Sequence, residues 1–91
     1  MTDDCPRPRP DLSVRAVEGE VLVLDRAANQ VHQLNVTAGF VWQHCDGRRT
    51  AAQIADALTR AFEVDAQTAQ EAVHTSLHRF AELGLLDDAR S

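Results

Sequence analysis

QVHQLNVTAGFVWQHCDGRRT, residues 30–50, is the stretch in which the hydrophobic period changes, and its two halves decide the fold. In Gln30–Leu34, His32 and Leu34 fall on one face and Val31 and Gln33 on the other, the period of a strand. From Asn35 the period becomes 3.6. Asn35 is a good N-cap, and Val36, Phe40 and Val41, with Trp42 beside them, form the apolar side of a helix over residues 35–45. Asp46-Gly47 ends it, with glycine suited to the residue after a helix.

Upstream lie two more strands. Leu12, Val14 and Ala16 alternate with Ser13, Arg15 and Val17, and Glu18-Gly19 supplies a turn. Residues 20–25, EVLVLD, are apolar on both faces, as expected of a central strand covered on both sides. The connections are short, so the three strands are expected to form an antiparallel meander with the second in the centre. Downstream lie two more helices. Thr50 and Gln53 fit a capping box, and Ile54, Leu58 and Phe62 make the stripe of the helix they open, with Ala51 and Ala55 alongside. Asp65 caps a longer helix over residues 66–83, with Ala69, Val73, Leu77 and Phe80 as its stripe. Gly84 then allows Leu85 to fold back on Phe80 in a Schellman arrangement, and Leu85-Leu86 is expected to cover an edge of the core.

The reading is one α+β domain: a three-stranded antiparallel sheet followed by a three-helix, winged-helix-like (helix-turn-helix) unit. Residues 1–11 carry all three prolines and read as a flexible arm, residues 12–86 as the folded domain, and residues 87–91 as a tail.

Composition narrows the function. A chain of 91 residues buries only about 60–65% of its unfolded surface. Four aromatics leave the core to aliphatic side chains, which favours a compact helical layer over a deep catalytic cavity. The net charge is −5, and all nine basic residues are arginine, a poor match for nucleic acid or an anionic membrane. No apolar run approaches the ~20 residues that span a bilayer, and no signal peptide is visible, so the protein is expected to be cytoplasmic with Cys5 and Cys45 as free thiols.

No catalytic constellation stands out. His74 and His78 share a side of the third helix, with Glu71 near, but there is no HExxH pattern or paired cysteine motif. They read as a polar flank rather than a metal site. Adjacent residues on a helix point about 100° apart, so His44 does not face Cys45 as a base would. Asn35-Val36-Thr37 matches a glycosylation triplet, but the helix cap explains the asparagine. The expectation is a non-enzyme with no cofactor. The trihelical unit raises a DNA-binding regulator as the alternative, against which stands the mixed charge of the third helix: Arg79, Gln67, Gln70 and two histidines beside Glu71 and Glu82. The third strand is an edge without lysine or proline to blunt it, open to an added peptide strand. Other occupants are Leu85-Leu86 or a second copy of the chain, which would give a homodimer.

These residues also carry a resemblance. His32-Gln33-Leu34-Asn35-Val36-Thr37-Ala38 leads to Val41-Trp42, then Cys45-Asp46-Gly47-Arg48-Arg49-Thr50. Ile54-Ala55, Leu58, Phe62, Val64-Asp65, Leu77 and Leu83-Gly84-Leu85-Leu86 follow. The pattern resembles the PqqD family of peptide chaperones over residues 12–86, most specifically in LNxTA and the DG-x-x-T step. The resemblance implies a recognition element for ribosomally made precursor peptides. The leader segment would lie as an added strand along the third strand, and a separate enzyme, often a radical S-adenosylmethionine protein, would modify the rest. On this chain Val31, His32, Gln33 and Leu34 would supply the strand, and Glu71, Thr75, His78 and Arg79 the opposite wall.

Overall fold

In the computed structural model, which describes residues 6–86, the alternating segments pair as an antiparallel meander: β1 (Ser13–Val17), β2 (Glu20–Asp25) and β3 (Gln30–Leu34), in the order β1-β2-β3. The register pairs Val17 with Glu20 beside the first turn and Asp25 with Gln30 beside the second, and runs to Val21 with Leu34 at the open end of β3. Glu18 (φ 51°) and Gly19 (φ 85°) both adopt positive φ, as a two-residue type I′ hairpin turn demands.

Three helices follow: α1 (Val36–Gln43), α2 (Ala51–Phe62) and α3 (Ala66–Glu82). Each expected cap is in place. Asn35 Oδ1 accepts the Ala38 N–H, Thr50 and Gln53 form a reciprocal capping box, and Asp65 Oδ1 accepts the Thr68 N–H. At the end of α3 the Leu85 N–H donates to the Phe80 carbonyl (2.9 Å) and the Gly84 N–H to that of Ala81 (3.1 Å), the Schellman pair. Asp46 Oδ1 accepts the main-chain N–H groups of Arg48 and Arg49, so the Asp-Gly step is a side-chain-braced turn between α1 and α2.

α1 alone among the helices packs on the sheet, against β2 and β3, while its other sides meet α2 and α3. It lies close to the sheet at Gly39, where a Cβ would stand 2.8 Å from Val21 Cγ2. The core gathers Val21, Val23 and Leu34 from the sheet, Val41, Trp42 and Cys45 from the α1 segment, Ile54, Ala55 and Leu58 from α2, and Ala69, Val73 and Phe80 from α3, closed by Leu85. Trp42 meets Phe80 edge to face at 5.2 Å.

Three expectations change. β2 is not covered on both sides: Val21, Val23 and Asp25 are buried, but Glu20, Leu22 and Leu24 stay partly exposed, because α1 lies on one face only. On α3, Leu77 is only partly buried and Ser76 is buried in its place. Ala69, Val73 and Phe80 define a direction from which Leu77 departs by about 60° and Ser76 by about 40°, at 100° per residue.

The third change is at the N-terminus. Residues 6–9 are tied down and lead through a turn at Pro10-Asp11 into β1, while the first five residues of the expected arm lie outside the described region. Pro8 bridges Leu86, the Arg9 N–H donates to the Leu85 carbonyl, and the Gly47 N–H donates to the Pro6 carbonyl (3.0 Å). The Arg9 guanidinium reaches Asp25 (3.1 Å), Asp11 (2.7 Å) and the Gly84 carbonyl (2.9 Å). Burial alone would raise the pKa of Asp25, but Arg9 and the Ala28 N–H together outweigh it and hold the carboxyl below its ordinary range. A buried carboxylate at the end of β2 thus needs a cation, and the strap supplies one. The same strap occupies Leu86, so the 85–86 segment pairs with residue 8 rather than with β3.

Candidate functional site

The hairpin geometry fixes which backbone groups face the open edge. A type I′ turn is closed by a hydrogen-bonded pair, here Val17 and Glu20. Hydrogen-bonded and non-bonded pairs alternate along an antiparallel ladder. Glu20, Leu22 and Leu24 therefore direct their N–H and C=O groups to β1, and Val21, Val23 and Asp25 theirs to β3. The partners of the latter, Leu34, His32 and Gln30, point back at β2. Val31 and Gln33 are left to aim their main-chain donors and acceptors outward from β3.

Side chains alternate the other way. Val31 (63% exposed) and Gln33 stand on the outer face, where the Gln33 amide donates to Glu20 Oε1. His32 and Leu34 point to the helix side. Leu34 is buried in the core, and His32 is partly buried with Nε2 lacking a partner among the described residues.

Beside this edge lies a two-part cleft, present because α1 holds α3 away from β3. One part, of about 340 Å³, runs from Glu20, Gln33 and Leu34 past Asn35 and Ala38 to Arg79. The second, of about 460 Å³, lies between α1 and α3 and is walled by small side chains, including Thr37, Ala38, Thr68, Ala72 and Ser76. Arg79, Asn35 and Ala38 border both parts. Glu71 and Thr75 line the second part and reach across α3 to a further groove of about 600 Å³ between α2 and α3.

The structure therefore brings Gln33, Leu34, Glu71, Thr75 and Arg79 to one cleft, with Val31 and His32 on its adjoining strand. His78 lines neither part, and its Nε2 lies 3.2 Å from Glu82. Sequence reasoning took Asn35 only as a cap and passed over Thr37, Ala38, Thr68, Ala72 and Ser76. Their signal was smallness: Thr68, Ala72 and Thr75 at helical spacing on α3, opposite Thr37-Ala38 on α1.

The other chemical candidates resolve locally. Cys45 is a free thiol, buried, donating to the Val41 carbonyl (3.1 Å), with its pKa pushed up to about 12 by burial and then by Asp46. His44 stacks on Phe40, and its Nδ1 lies 2.9 Å from the Phe40 carbonyl, which only accepts, so that nitrogen carries the proton. Cys5 lies outside the described residues. Among the described residues no group of three His, Cys, Asp or Glu side chains is placed to hold a metal, and no helix is long and apolar enough to cross a membrane.

Comparison with known proteins gives a consistent picture. The profile of the family "Coenzyme PQQ synthesis protein D (PqqD)" matches residues 20–86. A lasso peptide synthetase B1 complexed with the leader peptide is 26% identical, with TM-score 0.80 over 91% of this chain and 98% of that one. TbiB1 in complex with the TbiA(beta) leader peptide superposes equally well at 18% identity, over 90% and 95%. The PqqD truncation of Methylobacterium extorquens PqqCD, a stand-alone recognition element, gives TM-score 0.74 at 24% identity, over 90% and 87%. No curated protein matches the chain.

Proposed function

Because the chain belongs to the PqqD family, we propose that it binds the leader segment of a ribosomally synthesised precursor peptide by strand addition to β3 and presents it to a separate modifying enzyme. The observation that carries this is the pairing of an open strand edge, with Val31 and Gln33 aimed outward, with a cleft beside it that α1 keeps clear. Main-chain hydrogen bonds supply affinity in this mode, and pockets for alternate side chains supply specificity. The similarity to a lasso peptide synthetase B1 complexed with the leader peptide supports the same reading.

In this reading the protein is a carrier and catalyses nothing itself. The chemistry belongs to the partner enzyme, a radical S-adenosylmethionine protein or another leader-dependent catalyst. The DNA-binding alternative gains no support: Arg79 is the one basic residue of α3, and the net charge is −5.

The test is amide exchange on the full chain with and without a leader peptide encoded beside its gene. Protection is expected along residues 31–34 and on α3 from Glu71 to Arg79. Protection confined to residues 48–62 would overturn the site.

A further inference from the structure

Arg79 stands where the two parts of the cleft meet, and among the described residues it is the only basic side chain lining either of them. It is exposed and forms no ion pair with any described residue, although α3 is rich in polar groups. The carboxylates that line the cleft are engaged by amides: Glu20 accepts from the Gln33 side chain, and Glu71 from that of Gln67 (3.5 Å). Arg9, Arg49 and Arg60 each hold an aspartate, and Arg15, Arg26 and Arg48, which like Arg79 form no ion pair with a described residue, line neither part of the cleft. An arginine fork left without a carboxylate at the mouth of a peptide-sized cleft is a recognition element with its own half missing, because guanidinium groups bind carboxylates through paired, charge-assisted hydrogen bonds.

We infer that Arg79 selects the peptide: the occupant of the β3 edge carries an aspartate or glutamate that pairs with this guanidinium. The inference rests on the strand-addition reading and adds a spacing to it. A strand laid on β3 turns every second side chain toward the helices, and such neighbours stand about 6.5 Å apart. Ala38 and Arg79 border both parts of the cleft, so two consecutive helix-facing side chains enter the two parts. One meets Arg79. The other enters the broader part between α1 and α3, where Ala38 and Ala72 leave room for a large apolar group. The recognised peptide therefore holds an acidic residue two positions from a bulky apolar one.

The experiment is selection from a displayed library of randomised 12-residue peptides on the full-length protein and on its Arg79→Glu and Arg79→Gln variants. Because Arg79 is exposed, both variants are expected to stay folded, with Arg79→Glu melting slightly lower because it places an acid in the last turn of α3. Wild-type selection is expected to enrich Asp or Glu two positions from Leu, Ile, Phe, Tyr or Trp. Arg79→Glu is expected to exchange that acid for Lys or Arg. For one selected peptide, Arg79→Gln is expected to lower affinity about tenfold, the loss of one charge-assisted pair, and to weaken the salt dependence of binding. If selected peptides protect residues 31–34 yet show no acidic preference, or keep the same preference with Arg79→Glu, this inference is wrong and strand addition stands. If no peptide is enriched, or protection falls away from β3, both are wrong.

Discussion

Replacing Gln33 by proline isolates the edge hydrogen bonds of β3 from its packing. The ladder alternation aims the Gln33 N–H away from β2, so proline there removes no bond within the sheet, and edge strands tolerate it. In a complex the same change deletes one donor and leaves the peptide carbonyl opposite it unpaired. An unmet main-chain bond of that kind costs about 1–3 kcal/mol, a factor of about 5–150 in affinity. His32→Pro is the contrasting variant. Its N–H points into the β2–β3 ladder opposite Val23, so proline breaks the native sheet and lowers the melting midpoint before any peptide is added. The assay is fluorescence anisotropy of a labelled leader peptide, with thermal melting of each variant alone. Gln33→Pro is expected to melt close to wild type and bind at least fivefold more weakly, while Gln33→Ser binds within about twofold, since the side chain lies on the outer face and the main-chain donor is kept. Normal binding by a folded Gln33→Pro protein would refute the edge assignment. So would a folded His32→Pro protein, because it would mean that the ladder alternation is inverted.

Three further outcomes test the packing and its electrostatics. Leu58→Ala, deep in the core, is expected to destabilise by about 2–5 kcal/mol in a denaturant titration, and Leu77→Ala by about 1–2 kcal/mol because that side chain is already partly in solvent. Gly39→Ala is expected to destabilise by about 1–3 kcal/mol despite better helix propensity, since its methyl meets Val21, and a double-mutant cycle with Val21→Ala should show coupling between the two sites. Asp25→Asn should lower the melting midpoint at pH 7. The folded-state pKa of Asp25 is depressed, so its contribution is complete above the ordinary value of 3.8 and disappears as pH falls through the folded one. The gap between variant and wild type should therefore narrow in acid, and a gap independent of pH between 7 and 2 would mean that Arg9 does not hold Asp25 as a charged pair.

Local chemistry alone determined much of this protein. The turn at Glu18-Gly19, the caps Asn35, Thr50 and Asp65, and the Schellman ending at Gly84 each satisfy backbone groups within a few residues of themselves, so each was legible in the sequence and stands where it was expected. The change of period at Asn35 likewise fixed the order of three strands before three helices. Periodicity says which residues share a face but not what covers that face. Only the tertiary structure decided that α1 would cover one side of the sheet and leave Leu22 and Leu24 partly exposed, and that α3 would turn Ser76 rather than Leu77 into the core. The docked strap was hidden for the same reason. Arg9 and Asp25 are 16 residues apart, and nothing near either one announces the other. The cleft belongs to tertiary structure as well: it is a gap between β3 and α3, set by the thickness of the helix that separates them, and its small walls and single arginine acquire meaning only once that helix is in place.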